Sequence, residues 1–298
     1  MQSTDLIRLV VLAAIWGASF LFTRMIAPVL GPLWTAEARV AIAGLAMLLF
    51  MAVRRKPMQF GAHWKHFLAL GTLNSALPFA LFSYAALTIP AGYAAILNAT
   101  SPLWGALAGA LMLGEQLTLR KLAGLASGIV GVALLVRLGP VAFTPEVLVA
   151  TLACAGAALC YALAGVYSKR KSNAVGAQQM ATGSQLAATL VLLPFLPLAP
   201  VRAEPTAFVL LIAAMLALLC SAVAYFIYFR LIADIGPTRA LTVTFLIPLF
   251  ALGWGALFLG EPITMATIAG CALVIAATWL VVFQPDSVKD EAGRQRTA

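Results

Sequence analysis

The sequence predicts an all-α membrane protein of ten transmembrane helices, built as two inverted five-helix repeats. Three observations predict it. Of 298 residues, 63% are hydrophobic and only 10% are charged, with a mean hydropathy of +1.00. A water-soluble domain of this length needs far more charge to cover its surface. Apolar runs of about 20 residues, the length a helix needs to cross a bilayer, recur along the chain. The second half also repeats the first at an offset of 146 residues.

The first apolar run, near residues 7–27, has no strongly basic leader. Trp16, Phe20 and Phe22 carry it past the apolar core of a secretory signal, so it reads as the first span. Further spans are expected near 34–53, 66–87, 91–113, 118–137, 147–168, 177–199, 207–230, 239–259 and 264–283. The connections are short and rich in turn residues, as at Pro28–Pro32, Pro90–Gly92, Gly139-Pro140 and Gly236-Pro237. Residues 1–138 form the first five-helix repeat and 139–284 the second, inverted one. Residues 285–298 are expected to be a disordered cytoplasmic tail.

Net charge is +9. With the N-terminus inside, 15 of the 19 Lys and Arg residues fall on the cytoplasmic side, and only Arg202 lies plainly in an outer loop. This bias places both termini in the cytoplasm. The Ala/Leu/Gly-rich composition, with no organellar transit segment, suits a bacterial inner membrane.

The same features exclude other classes. The basic clusters carry no interleaved aromatics on a soluble segment, so nucleic acid is not an expected partner. Cys154, Cys160, Cys220 and Cys271 all sit in apolar runs at spacings that fit neither a zinc site nor a redox motif. No phosphate-binding G-x-x-x-x-G-K-[ST] occurs, so ATP hydrolysis within this chain cannot drive work. No catalytic constellation is visible either, and His63 and His66 lie at the edge of a span. No cofactor and no metal are expected. The expected partners are a small-molecule substrate and the lipid bilayer, with the chain a monomer or a weak homo-oligomer.

The repeat is densest between Pro102–Val136 and Pro248–Val282, where 15 of 35 ungapped positions are identical. Leu113-Gly114-Glu115 matches Leu259-Gly260-Glu261, Thr118 matches Thr264, and Ser75 matches Ser221. Five spans is an odd number, so the second unit enters the membrane from the other side. Two such halves can exchange conformations, and the exchange moves an opening from one face to the other.

On these residues the chain resembles the EamA family of drug/metabolite transporters. Trp16-Gly17-Ala18-Ser19-Phe20 is like the family's opening W-G-x-x-F. Ala38-Arg39 is like its arginine in a small-residue helix. The Gly114-Glu115 and Gly260-Glu261 ends, followed by Gly124 or Gly270, complete the pattern. The resemblance covers nearly all of the chain except the tail. It implies two inverted five-helix units around a cavity and a small metabolite as solute, often an amino acid leaving the cell. Within the family the YddG-like amino-acid exporters are most similar. The function expected is thus a secondary transporter exporting amino acids, aromatic or other neutral ones, by alternating access. A passive channel or a lipid-modifying enzyme is the alternative.

Midplane polarity is costly in lipid and marks a cavity. Asn98 and Pro102 lie four apart on the fourth span, and Thr244 and Pro248 repeat them on the ninth. Helices interrupted at matching positions of both halves point to a substrate site. Ser75 and Phe79, with Ser221 and Tyr225 as their repeat mates, combine hydroxyls with aromatic rings. Trp16 and Ser19 on the first span and Tyr161 on the sixth complete the expected substrate-binding set. Glu37 is the best-placed carboxylate for ion coupling. Arg39 reads as an interfacial anchor and Asn74 as a helix-to-helix bridge. Glu115 and Glu261 read as helix-end structure, each near the start of the helix that follows it, and Gly105 and Gly109 as a close helix contact.

Overall fold

A computed structural model describes residues 3–139, 141–171 and 175–282. The expected tail, 285–298, lies outside them. Among the described residues there is no strand. In hydrocarbon the backbone must satisfy its own hydrogen bonds, and each apolar run does so as a helix.

Ten helices result. They are α1 (Ser3–Leu30), α2 (Pro32–Val53), α3 (Phe60–Ala85), α4 (Ala91–Leu113), α5 (Leu119–Leu138), α6 (Pro145–Lys171), α7 (Ala177–Leu198, its last six residues a 3₁₀ turn), α8 (Ala207–Ile235), α9 (Val243–Leu259) and α10 (Met265–Val282). Nine are long and apolar enough to cross a membrane, and α9 is a shorter apolar helix of 17 residues preceded by the turn Pro237–Ala240. An even number of crossings leaves Ser3 and Val282 on one face, here the terminal face.

Local chemistry marks the helix ends. Gly114 (φ 68°) and Gly260 (φ 63°) close α4 and α9 in the left-handed region, where a side chain is strained. The Glu115 amide then donates to the Gly109 carbonyl at 3.2 Å and the Glu261 amide to Gly255 at 3.1 Å. Thr118 and Thr264 start the next helices, their hydroxyls accepting from Lys121 N and Thr267 N. Both α3 and α8 contain a π-helical turn, Thr72–Ala76 and Leu218–Val223, whose first residues are 146 apart.

Packing follows a pseudo-two-fold relation in which each helix exchanges with the one five places on. Helices α5 and α10 pack on each other, as do α2 and α7; α1 with α9 mirrors α6 with α4, and α3 with α6 mirrors α8 with α1. The α5–α10 contact is close because it lacks side chains. A Cβ on Gly131 would stand 3.1 Å from the Gly270 carbonyl oxygen, and one on Gly270 3.0 Å from that of Gly131.

One symmetric expectation fails. Helix α4 breaks at Ala99–Thr100, just before Pro102, but α9 runs unbroken through Pro248. The turn that interrupts the ninth span falls at Leu241–Thr242, before α9 starts. Pro248 lies in the sixth position of a helix, buried beside Ile247 and Ala251. At α4, by contrast, hydroxyls bond the carbonyls around the break. Thr100 donates to Leu97 O at 2.6 Å, Ser101 to Asn98 O at 2.6 Å, and Thr278 of α10 to Ala99 O at 2.8 Å.

Candidate functional site

Helix α9 packs along Ala91–Asn98 but not along the second piece of α4, Ser101–Leu113, which lies on α6 instead. Helices α4 and α9 therefore meet at the face opposite the termini and separate toward the terminal face. The gap is a cavity of about 550 Å³.

Its deep part is aromatic. Trp16 meets Tyr228 at 5.2 Å between ring centroids, Phe20 meets Phe82 edge-on at 5.5 Å, and Phe82 stacks near Tyr161 at 6.2 Å. Phe79 and Tyr225 complete the wall, and Asn74, Asn98, Ser19, Thr23 and Thr244 supply neutral polar groups. Several of these point part of their hydrogen-bonding capacity back at their own helix. Ser19 donates to Trp16 O at 2.7 Å, Thr23 to Ser19 O at 2.7 Å and Thr244 to Leu241 O at 2.8 Å. Each hydroxyl oxygen can still accept. Toward the terminal face the lining becomes Gly105, Gly109, Leu113 and Val282, ending at Glu115 and Lys169.

Of the residues singled out from sequence, Trp16, Ser19, Phe79, Asn98, Pro102, Tyr161, Tyr225 and Thr244 line this cavity. Ser75, Ser221, Pro248 and Glu37 are buried and lie outside the lining. Ser75 sits in the π-turn with its hydroxyl unpaired, and the inner face of α3 is presented by Phe79 and Phe82 instead. Ser221 sits one shell behind the cavity surface, where its Oγ accepts from Arg39 Nε at 3.0 Å. Glu37 is buried, with Oε2 unpaired.

Three readings from sequence change. Arg39 is not an interfacial anchor. Its guanidinium lies 3.8 Å above the Phe79 ring and lines the cavity. Gly105 leaves open space rather than a helix contact, whereas Asn74 lines the cavity and keeps its bridging role through a hydrogen bond with Tyr225 of α8. Glu261 does not serve the helix that follows it. Its carboxylate accepts from Ala91 N at 2.9 and 3.0 Å, capping the start of α4 in the other half. Nothing in the local sequence around Glu261 names a partner 170 residues away.

That cap belongs to a seal at the face opposite the termini. Arg24 of α1 donates to the Ala86 carbonyl and stands 4.0 Å from Glu261 Oε1. Beside it Leu252 of α9 packs against Gly92 so closely that a Cβ there would lie 2.4 Å from Leu252 Cδ2. At the terminal face the repeat mate Glu115 makes different bonds, to Lys169 at 2.6 Å and Lys121 at 3.6 Å. The Lys169 ammonium holds the Glu115 carboxyl below the usual carboxylate range.

Comparison with known proteins fits this geometry. The EamA-like transporter family matches twice, over residues 6–137 and 148–283. The chain is similar to the uncharacterized transporter YvbV of Bacillus subtilis, 25% identical over 91% of this chain and 88% of the relative. It is 28% identical to protein PecM of Dickeya dadantii over 90% of this chain and 88% of that one. To a probable amino-acid metabolite efflux pump of Salmonella typhimurium it is 24% identical, covering 90% and 91%. A crystal structure superposes over the whole of both chains with a TM-score of 0.63 at 20% identity, which speaks for the fold alone. With both repeats matched across nearly its whole length, the chain belongs to the EamA-like transporter family, multi-pass membrane proteins that move small metabolites.

Proposed function

We propose that this chain exports small neutral metabolites, amino acids with aromatic or other apolar side chains first among them, by alternating access. One observation carries the reading: a solute-sized cavity with aromatic and amide walls opens at one face and is sealed at the other by Arg24, Glu261 and the start of α4. A channel would need a continuous path, and here the deep end is closed by packing of α9 on α4. The termini are assigned to the cytoplasm of a bacterial inner membrane, so the cavity faces inward and loads from inside. The two units, 1–138 and 139–284, are the bodies that rock against each other.

The substrate set is Trp16, Ser19, Phe79, Asn98, Pro102, Tyr161, Tyr225 and Thr244 at the cavity surface. Ser221 acts from behind it by holding Arg39, and Ser75 and Pro248 lie outside the lining. Glu37 is the coupling carboxylate, the one acid buried in the helices without a hydrogen bond on Oε2 among the described residues.

Counterflow in vesicles reconstituted with the purified chain tests this. Phenylalanine loaded on one side should accelerate uptake of labelled phenylalanine from the other. Asn98→Leu and Trp16→Ala should each lower the rate about tenfold while leaving insertion intact, the range expected when an aromatic or amide anchor is truncated. Unchanged rates in both variants would remove the cavity from the transport path. A pH gradient should alter the wild-type rate and leave Glu37→Gln indifferent.

A further inference from the structure

The charge inside the cavity is lopsided. Among the described residues Arg39 is the cation of the deep chamber, and no acid pairs with it. Its Nε is held by Ser221 and its flat face by Phe79. Its two terminal nitrogens make no hydrogen bond or ion pair with a described residue. They are also absent from the buried polar atoms that lack a partner, which means they keep open surface. A guanidinium clamped at its stem and face, with its fork of N–H groups free, is shaped to receive a planar two-oxygen anion.

The neighbouring acids are otherwise engaged or turned away. Glu37 is two positions along α2, a spacing that sends its side chain to another face, and it does not line the cavity. Glu115 is at the mouth and already pairs with Lys169 and Lys121. The repeat supplies no counter-charge either. The mate of Arg39 is Gln185, which is fully buried and neutral. An unanswered positive charge at low dielectric is unfavourable, and a bound anion relieves it.

We infer that Arg39 is a carboxylate anchor, and that the cavity takes organic monoanions with an aromatic or apolar tail for which an ammonium group is dispensable. The inference rests on the proposed role of this cavity as the solute site. It moves the favoured charge of the solute from neutral to anionic, because an amino acid brings a cation for which the chamber has only neutral partners. Phenylalanine binds through its carboxylate and ring. The same molecule without its amine should bind better, and the amine without its carboxylate should bind poorly.

The test uses the purified full chain and three solutes sharing one ring: 3-phenylpropionate, phenylalanine and phenethylamine. Binding is read by quenching of tryptophan fluorescence, with Trp16 in the cavity wall as reporter. The expected order of affinity is 3-phenylpropionate, then phenylalanine, with phenethylamine at least about tenfold weaker, the loss expected when a charge-assisted pair is missing. Arg39→Gln should weaken 3-phenylpropionate by about tenfold or more and leave phenethylamine unchanged or tighter. Arg39→Lys should recover part of the loss. Equal affinity for 3-phenylpropionate and phenethylamine in the wild type overturns the inference without recourse to any variant. So does wild-type affinity for 3-phenylpropionate in a folded Arg39→Gln protein. Phenylalanine counterflow separates the two readings: if it persists while 3-phenylpropionate fails to bind, the anchor is wrong and the transport reading stands.

Discussion

The two ends of the bundle are made from the same repeat and do opposite things. At the closed end Glu261 reaches across to the start of α4 in the other half, and Arg24 ties the junction to the Ala86 carbonyl. At the open end Glu115 has the matching place in sequence but binds Lys169 of α6 and Lys121 of α5. The difference lies in what each carboxylate is offered. Glu261 is offered the free N–H of Ala91 at a helix start. The residue 146 positions after Ala91 is Pro237, which has no N–H to give. The same duplicated glutamate thus closes one face through a backbone cap. A like closure of the other face would need a different partner. Duplication gives the halves a common shape, and single substitutions decide how firmly each face shuts.

This contrast can be broken at three points. The largest effect belongs to Gly92→Ala. The added carbon would lie 2.4 Å from Leu252 Cδ2 and 3.0 Å from its Cα, where the backbone of α9 leaves little room. Overpacking of this kind costs about 1–3 kcal/mol, enough to shift a closure equilibrium by about five- to a hundredfold. A cysteine introduced at position 98 should become reactive to an impermeant maleimide from the face opposite the termini. Unchanged protection there would mean the Gly92–Leu252 contact does not hold the seal.

Glu261→Gln comes next. The amide can still accept from Ala91 N, but the charge facing Arg24 and the helix start is gone. A loss of about 1 kcal/mol is expected, or several-fold in the same labelling rate. The smallest effect belongs to Glu115→Gln, because an ion pair this exposed contributes about 0.2–1 kcal/mol at most. Labelling from the opposite face should hardly move. Its pH dependence has a definite sign. A carboxyl held below the usual range contributes stability above that range and loses it only as pH falls through the lowered value. Thermal stability of the wild type relative to Glu115→Gln should therefore stay flat from about pH 8 to 5 and fall only in stronger acid. A difference that vanished near neutrality would point to another group.

Much of the architecture was legible because it is periodic. Span lengths follow from bilayer thickness, and Gly114 and Gly260 with the threonines after them announce helix ends by local chemistry. The aromatic wall was partly legible, since Phe79 and Phe82 and their mates Tyr225 and Tyr228 share helical faces. Arg39 was misread because its position near a helix end allows either an anchor or a cavity group, and only the packing of α2 against α7 and α8 decides which way it turns. The seal was hidden for a related reason. Glu261 and Ala91 are brought together by the docking of two halves, which no local pattern records. The mismatch between Pro102 and Pro248 shows the limit of symmetry, because similar sequences placed their helix breaks one turn apart.

The paired π-turns in α3 and α8 have a consequence for how this chamber can evolve. Each inserts one residue beyond the regular winding, which rotates the rest of the helix by about 100°. Phe79, Phe82, Tyr225 and Tyr228 all follow such a turn, so their inward aim is a matter of phase as much as of identity. A lineage could repaint the chamber wholesale by gaining or losing one residue in either turn, exchanging an entire wall in a single step that no catalogue of side-chain replacements would register.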